Sequence, residues 1–135
     1  MTCLNINKNY QLIKMSNTPE DFEECQKIRL SLNDTLTVIG GKWKLPLITV
    51  LLRDGKKQFN QLSRLLGISP RILSKELAEL EINMLIWREV KNTKPITVEY
   101  SVTKYCESLI DIILVLNDWG RKHKEALRQG HVEGK

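Results

Sequence analysis

The sequence predicts a mainly α-helical fold with one small β-hairpin, an α+β arrangement of short helices, a hairpin and a last long helix. Three observations predict it. Apolar residues recur at helical spacing from Thr18 to Met84 and again from Thr103 to about Gln129. Between them the period drops to two, in "MLIWREV" and "ITVEYSV", which are rich in β-branched and aromatic residues. Gly and Ser-Pro punctuation cuts the first helical stretch into pieces too short to stand alone.

Taken in order, residues 1–17 are polar, Asn-rich and weakly patterned, which predicts a flexible N-terminal arm before a domain over 18–129. At "TPEDFEECQKIRLSL" a helix starts, with Thr18 as N-cap, Pro19 in the first turn and acids that suit the helix dipole. Phe22, Cys25 and Ile28 form a narrow apolar edge on it. "NDTLTVIGG" predicts a separate short helix, capped by Asn33 or Asp34 and stopped by Gly40-Gly41. In "KWKLPLITVLLRDG", Trp43, Leu47, Val50 and Leu51 share a face, and Pro46 fits only near the first turn. Trp43 is expected as a buried anchor, and Lys42 and Lys44 as solvated or phosphate-facing groups. "QFNQLSRLLG" predicts a helix with Phe59, Leu62, Leu65 and Leu66 inward and Gly67 ending it, after a solvated turn at Lys56-Lys57. Residues 130–135 are a C-terminal tail.

Composition narrows the function. The chain has 135 residues, a net charge of +5 and 41% hydrophobic residues, enough for one domain with a core of its own. Residues 53–104 carry 10 Lys/Arg against 6 Asp/Glu, so the positive excess is concentrated around the hairpin and the helices before it. Such a balance favours a polyanionic partner. The cysteines (Cys3, Cys25, Cys106) are odd in number and far apart, and both histidines (His123, His131) fall near the C-terminus. A disulfide framework, a metal site and a cofactor are therefore not expected, and a reducing cytoplasm is. "MTCLNINKNYQLIKM" lacks the apolar core of a signal peptide, and "LIDIILVL" is too short to cross a bilayer, so no membrane partner is expected. No nucleophile stands with a spaced histidine and there is no Gly-rich phosphate loop, which argues against an enzyme.

The stretch "GISPRILSKELAELEINML" carries the most information. Counted from Pro70 at about 100° per residue, Leu73, Leu77, Leu80 and Met84 fall on one stripe. Arg71, Lys75, Ala78 and Ile82 lie opposite, with Ser74 beside them. Ser69 is placed to cap the exposed amides, and Pro70 has no amide to lose. Only Gly-Ile-Ser joins this helix to the one before it, the connection length of a helix-turn-helix. A hairpin with the basic tip "KNTKP" follows. Together these make a winged helix-turn-helix, in which one helix enters the major groove of double-stranded DNA and the wing meets the backbone. Arg71, Ser74 and Lys75 are then candidate base or phosphate contacts, beside the small Ala78. Gln61 and Arg64, outward on the preceding helix, are candidate phosphate contacts, as are Lys91 and Lys94 on the wing. A winged-helix module for protein interaction without specific DNA binding is the alternative, and the basic wing argues against it.

Eight of the eleven residues from Leu109 to Trp119 are apolar, more than a helix packed on one side needs. A two-fold homodimer is the expected solution, with Leu109, Ile113 and Leu116 at the interface against Phe22, Ile28 and the 33–39 segment.

The segment "IGGKWKLPLITVLLRDGKKQFNQLSRLLGISPRILSKELAELE", with "PITVEYSVT" and "NDWG" after it, resembles HxlR-type bacterial transcription regulators over roughly residues 33–120. The resemblance implies a homodimeric winged-helix repressor or activator that binds an inverted repeat. By position, Ser69, Pro70, Arg71, Ser74 and Lys75 match the start of that family's recognition helix, and Lys91 to Lys94 match its wing. It also implies an effector, a small molecule or a redox signal. Many members carry a Cys-Pro pair where this chain has Leu30-Ser31, and Cys25 lies five residues upstream of it. The family's usual thiol sensor is thus not expected here.

Overall fold

The computed structural model describes residues 4–6, 12–14 and 18–130. Residues 1–41 and 42–135 form two compact units. In the first, β1 (Leu4–Ile6) pairs antiparallel with β2 (Leu12–Lys14), Leu4 opposite Lys14 and Ile6 opposite Leu12. Part of the expected arm therefore has regular backbone pairing. Its remaining residues, Cys3 among them, and the tail after Gly130 lie outside the described residues.

Helix α1 (Pro19–Ile39) starts where expected, in a reciprocal cap. The Asp21 amide donates to Thr18 Oγ1 at 3.2 Å, and the Thr18 amide donates to Asp21 Oδ2 at 3.1 Å. The sequence predicts two helices over this span, but there is one. Asn33 and Asp34 do not act as caps, and the chain runs through them unbroken. The Thr35 and Thr37 hydroxyls donate to the Ser31 and Asn33 carbonyls one turn back, both at 2.9 Å, so these residues satisfy themselves inside the helix. Gly40 ends it, its amide bonded to the Leu36 carbonyl at 2.7 Å; a Cβ there would run into that same oxygen. Phe22, Leu30, Leu32 and Leu36 are exposed on α1, and Cys25 and Ile28 are half-buried.

The second unit begins with α2 (Lys44–Asp54), which buries Leu47, Ile48 and Leu51. Trp43 is its half-buried N-cap, with Lys42 Nζ 4.8 Å above its ring, rather than a fully buried anchor. Strand β3 (Lys57–Gln58), which the sequence reading misses, leads into α3 (Phe59–Leu66). Leu62 is buried on α3 and Leu65, expected inward, is exposed. Gly67 takes a left-handed conformation (φ 63°) that turns the chain, and Ile68 drops into the core. Helix α4 (Pro70–Ile82) follows at once. It buries Leu73, Leu77 and Leu80 at 0–1% exposure, each burial worth about 1.5–3 kcal/mol. Met84 does not continue the stripe. The helix has ended two residues earlier, Met84 sits at φ 60°, and its side chain is exposed.

Strands β4 (Ile86–Lys91) and β5 (Thr97–Val102) form the predicted hairpin in register Ile86 to Val102 through Lys91 to Thr97. β3 adds a third antiparallel strand on the far side of β5, giving the order β3-β5-β4. Buried Thr103 closes the hairpin: its hydroxyl donates to the Met84 carbonyl at 2.7 Å and accepts the Cys106 amide at 3.1 Å. The expected long helix is a 3-10 turn (Tyr105–Leu109) followed by α5 (Ile110–Gln129). Leu47, Ile48 and Leu51, Leu62, Ile68, the α4 stripe, Leu85, Ile86, Tyr100, Cys106 and Leu109 make the core. Mainly helical, with a three-stranded wing, the fold is a winged helix-turn-helix.

Candidate nucleic-acid interface

The local chemistry of Gly67-Ile68-Ser69 sets the angle at which α4 leaves α3. Ser63 Oγ donates to the Ile68 carbonyl at 2.8 Å, and the Ile68 amide donates back to the Ser63 carbonyl at 3.2 Å. Ser69 Oγ accepts the Ile72 amide at 3.4 Å, and Pro70 opens the helix. Both Ser69 and Pro70 remain exposed. With the leucine stripe fixed inward, Arg71, Ser74, Lys75 and Ala78 all face out and are exposed. Neither Arg71 nor Lys75 has a carboxylate within ion-pair distance among the described residues. They are exposed cations on a helix face that the fold presents outward.

On α3, Arg64 is exposed and likewise makes no ion pair among the described residues. Gln61 is exposed but partly engaged: its Oε1 accepts the Gln58 amide at 2.8 Å. Lys57, Gln61, Arg64 and Leu65 line an open groove of about 380 Å³. Lys57 is not in a solvated turn, since it pairs with Tyr100 in the sheet.

The wing separates its two candidate lysines. Lys94 stands at the exposed tip without an ion pair among the described residues. Lys91 is the last residue of β4, half-buried, and lies 2.9 Å from Glu89 and 4.0 Å from Glu99. Lys56 reaches the same two carboxylates at 3.3 and 3.6 Å. The bond from Lys91, then the one from Lys56, holds the Glu89 carboxyl below its ordinary range, and the same pairing raises the Lys91 ammonium. This side of the wing is therefore close to neutral, and Lys91 is less available than its place at the tip suggests. Arg88, exposed on β4 opposite Tyr100 and without an ion pair among the described residues, is a cation that sequence reasoning missed. Alternation gave no signal for it, since Arg88 shares a strand face with buried Ile86 and lies opposite buried Tyr100.

The other misplaced lysine is Lys44. It is neither solvated nor phosphate-facing: its side chain is 8% exposed, and Nζ lies 2.7 Å from Glu76 and 2.6 Å from Glu79, both on α4. Burial pulls its pKa down, but the two carboxylates outweigh that and leave it raised. The Lys44 bond likewise holds Glu79 below its ordinary value.

Residues 38–128 match the model of a family described as HxlR-like helix-turn-helix. The chain belongs to that family. Its curated relatives include the HTH-type transcriptional regulator YdeP of Bacillus subtilis (strain 168), 42% identical over 109 residues that cover 80% of each chain. Among solved structures, that of the HTH-type transcriptional regulator ytcD superposes with a TM-score of 0.65 at 40% identity, over 70% of this chain and 96% of the other. The redox regulator HypR in its reduced form gives 0.66 at 39% identity, over 73% and 98%. This HxlR-like chain is thus a helix-turn-helix transcriptional regulator, and α3, α4 and the wing are the parts that define its class.

The expected dimer residues are placed unevenly. On α5, Leu116 is 47% exposed and Ile113 half-buried, with Val115 and Trp119 more open still. Leu109 is committed to the chain's own core. No single helix among the described residues is long and apolar enough to cross a membrane.

Proposed function

We propose that this HxlR-like regulator is a cytoplasmic homodimer that binds an inverted-repeat operator in double-stranded DNA. Helix α4 lies in the major groove, α3 meets the adjoining phosphates, and the wing tip reaches the backbone. The observation that carries this is the α4 face, where exposed Arg71, Ser74 and Lys75 stand about the small Ala78 and neither cation makes an ion pair among the described residues. A protein-interaction module would leave those unpaired cations without a purpose. The apolar face of α5 supplies the second subunit. The family gives no reason to look for catalysis.

An effector acts on this regulator through a route other than the family's usual cysteine position, which is Leu30 here. Cys25 is half-buried on α1, and Cys106 is fully buried with its thiol pushed up by that burial. DNA binding is expected to survive mild oxidants and Cys25→Ser.

The test is selection of the binding site from random DNA, followed by titration of the selected and a scrambled duplex. Arg71→Ala should cost about 1–3 kcal/mol on the selected duplex and relax preference at one symmetric pair of positions, if it reads a guanine. Equal losses on both duplexes would make Arg71 a phosphate contact. No selected sequence at all would end the proposal.

A further inference from the structure

Lys44 is the one buried ammonium among the described residues, and it lies between α2 and the helix assigned to the major groove. The apolar packing of Leu47, Ile48 and Leu51 near Leu73, Leu77 and Leu80 is strong but non-directional, so it fixes the separation of helices better than their rotation. The Lys44 bonds are directional. One ammonium at the start of α2 holds two carboxylates three residues apart on α4, which ties the two helices together at that point.

Charge gives the arrangement a second effect. Glu79 stands four residues after Lys75, so the two are neighbours on the helix surface, and the Lys75 charge is felt at Glu79. Lys75 nevertheless makes no ion pair among the described residues, because the Glu79 carboxylate is turned the other way, onto Lys44.

We propose that Lys44 is a positioning residue for DNA recognition: by holding Glu79 against α2 it keeps that carboxylate off Lys75, which leaves Lys75 free for DNA. This rests on the assignment of α4 as the DNA-reading helix. Without Lys44, Glu79 swings to Lys75 and neutralises the DNA-facing cation.

The test uses the full chain, the selected duplex and a scrambled one, across several salt concentrations. Lys44→Met should weaken binding to the selected duplex by about tenfold or more and lower the salt slope by about one. Adding Glu79→Gln to Lys44→Met should return most of the affinity and slope without returning the lost thermal stability. A merely structural lysine would not give that split. Lys44→Arg, which keeps the charge, should stay within about threefold of wild type.

Wild-type affinity and slope in folded Lys44→Met would overturn the inference, as would a double variant no better than the single one. Should Lys44→Met fail to fold, Glu79→Gln alone decides: Lys44 still holds Glu76, so binding should stay level or tighten. A loss beyond about threefold there would overturn the inference. If the wild type itself preferred no duplex, the assignment of α4 would fall first and this inference with it.

Discussion

Helices α4 and α5 carry similar apolar loads and use them in opposite ways. α4 sinks Leu73, Leu77 and Leu80 almost completely, while α5 has no buried residue, and Ile112, Leu114, Val115, Leu116 and Trp119 all face out. A single chain satisfies the first helix and leaves the second unfinished. Under the proposed function, the contrast assigns the polar side of α4 to DNA and the apolar side of α5 to a second subunit. One helix offers charge on a rigid base. The other offers exposed apolar area.

The largest effect that would sharpen this contrast is on stability. Leu77→Ala should cost about 2–5 kcal/mol, read by denaturant unfolding, because it opens a cavity in a closed core. Val115→Ala, at 69% exposure, should cost under about 0.5 kcal/mol at concentrations where the chain is monomeric. Equal costs there would mean that α5 is satisfied within its own chain.

Second in size is assembly. Sedimentation should show a dimer at micromolar concentration, and Leu116→Lys or Ile113→Lys should weaken self-association at least about tenfold, near 1.4 kcal/mol. A wild-type monomer would break the comparison outright. Third comes the wing. Lys94→Ala should lower the salt slope of DNA binding by up to about one unit, and Lys91→Ala by less, since Glu89 already holds that ammonium. An equal loss for Lys91 would show that DNA breaks its ion pairs.

The smallest effect is in pH. Lys44 has its folded pKa raised above 10.5, so its contribution to stability is complete below that value and is lost as pH rises through the raised one. Unfolding measured on either side of 10.5 should show wild type losing more stability than Lys44→Arg. Glu79 is lowered below 4.5, so its contribution holds above that value and fades as pH falls through the lowered one. Asp118 on α5 is lowered in the same sense by Lys122 and Arg121, and solvent screens both of these partly exposed carboxylates.

Where the sequence was legible, the signal was local and periodic. The α4 stripe, the Ser-Pro start, the short Gly-Ile-Ser link and the alternation of the hairpin all follow from neighbours within a turn or a strand. What it hid was non-local. Lys44 looks like any lysine at a helix start, because nothing nearby announces two glutamates 32 and 35 residues away. β3 is two residues long, too short to show a period, and exists because β5 has a free edge. Asn33-Asp34 carries cap chemistry that a longer helix simply overrode. Met84 fits the stripe by arithmetic, but the chain had already turned. The α4 face was thus read correctly for exposure, while the partners that discipline it were not.

The pairing of β3 with β5 has one further consequence. Gln58 lies in the sheet opposite Glu99 and is also the residue from which α3 starts. The wing and α3 therefore share a joint, and the hairpin backbone is tied to the start of α3 by the hydrogen bonds of the sheet. On the DNA assignment the wing and α3 work as the two jaws of a caliper. Such a device gauges the width between phosphate rows, and a duplex of the right sequence but the wrong local width would be held by one jaw only.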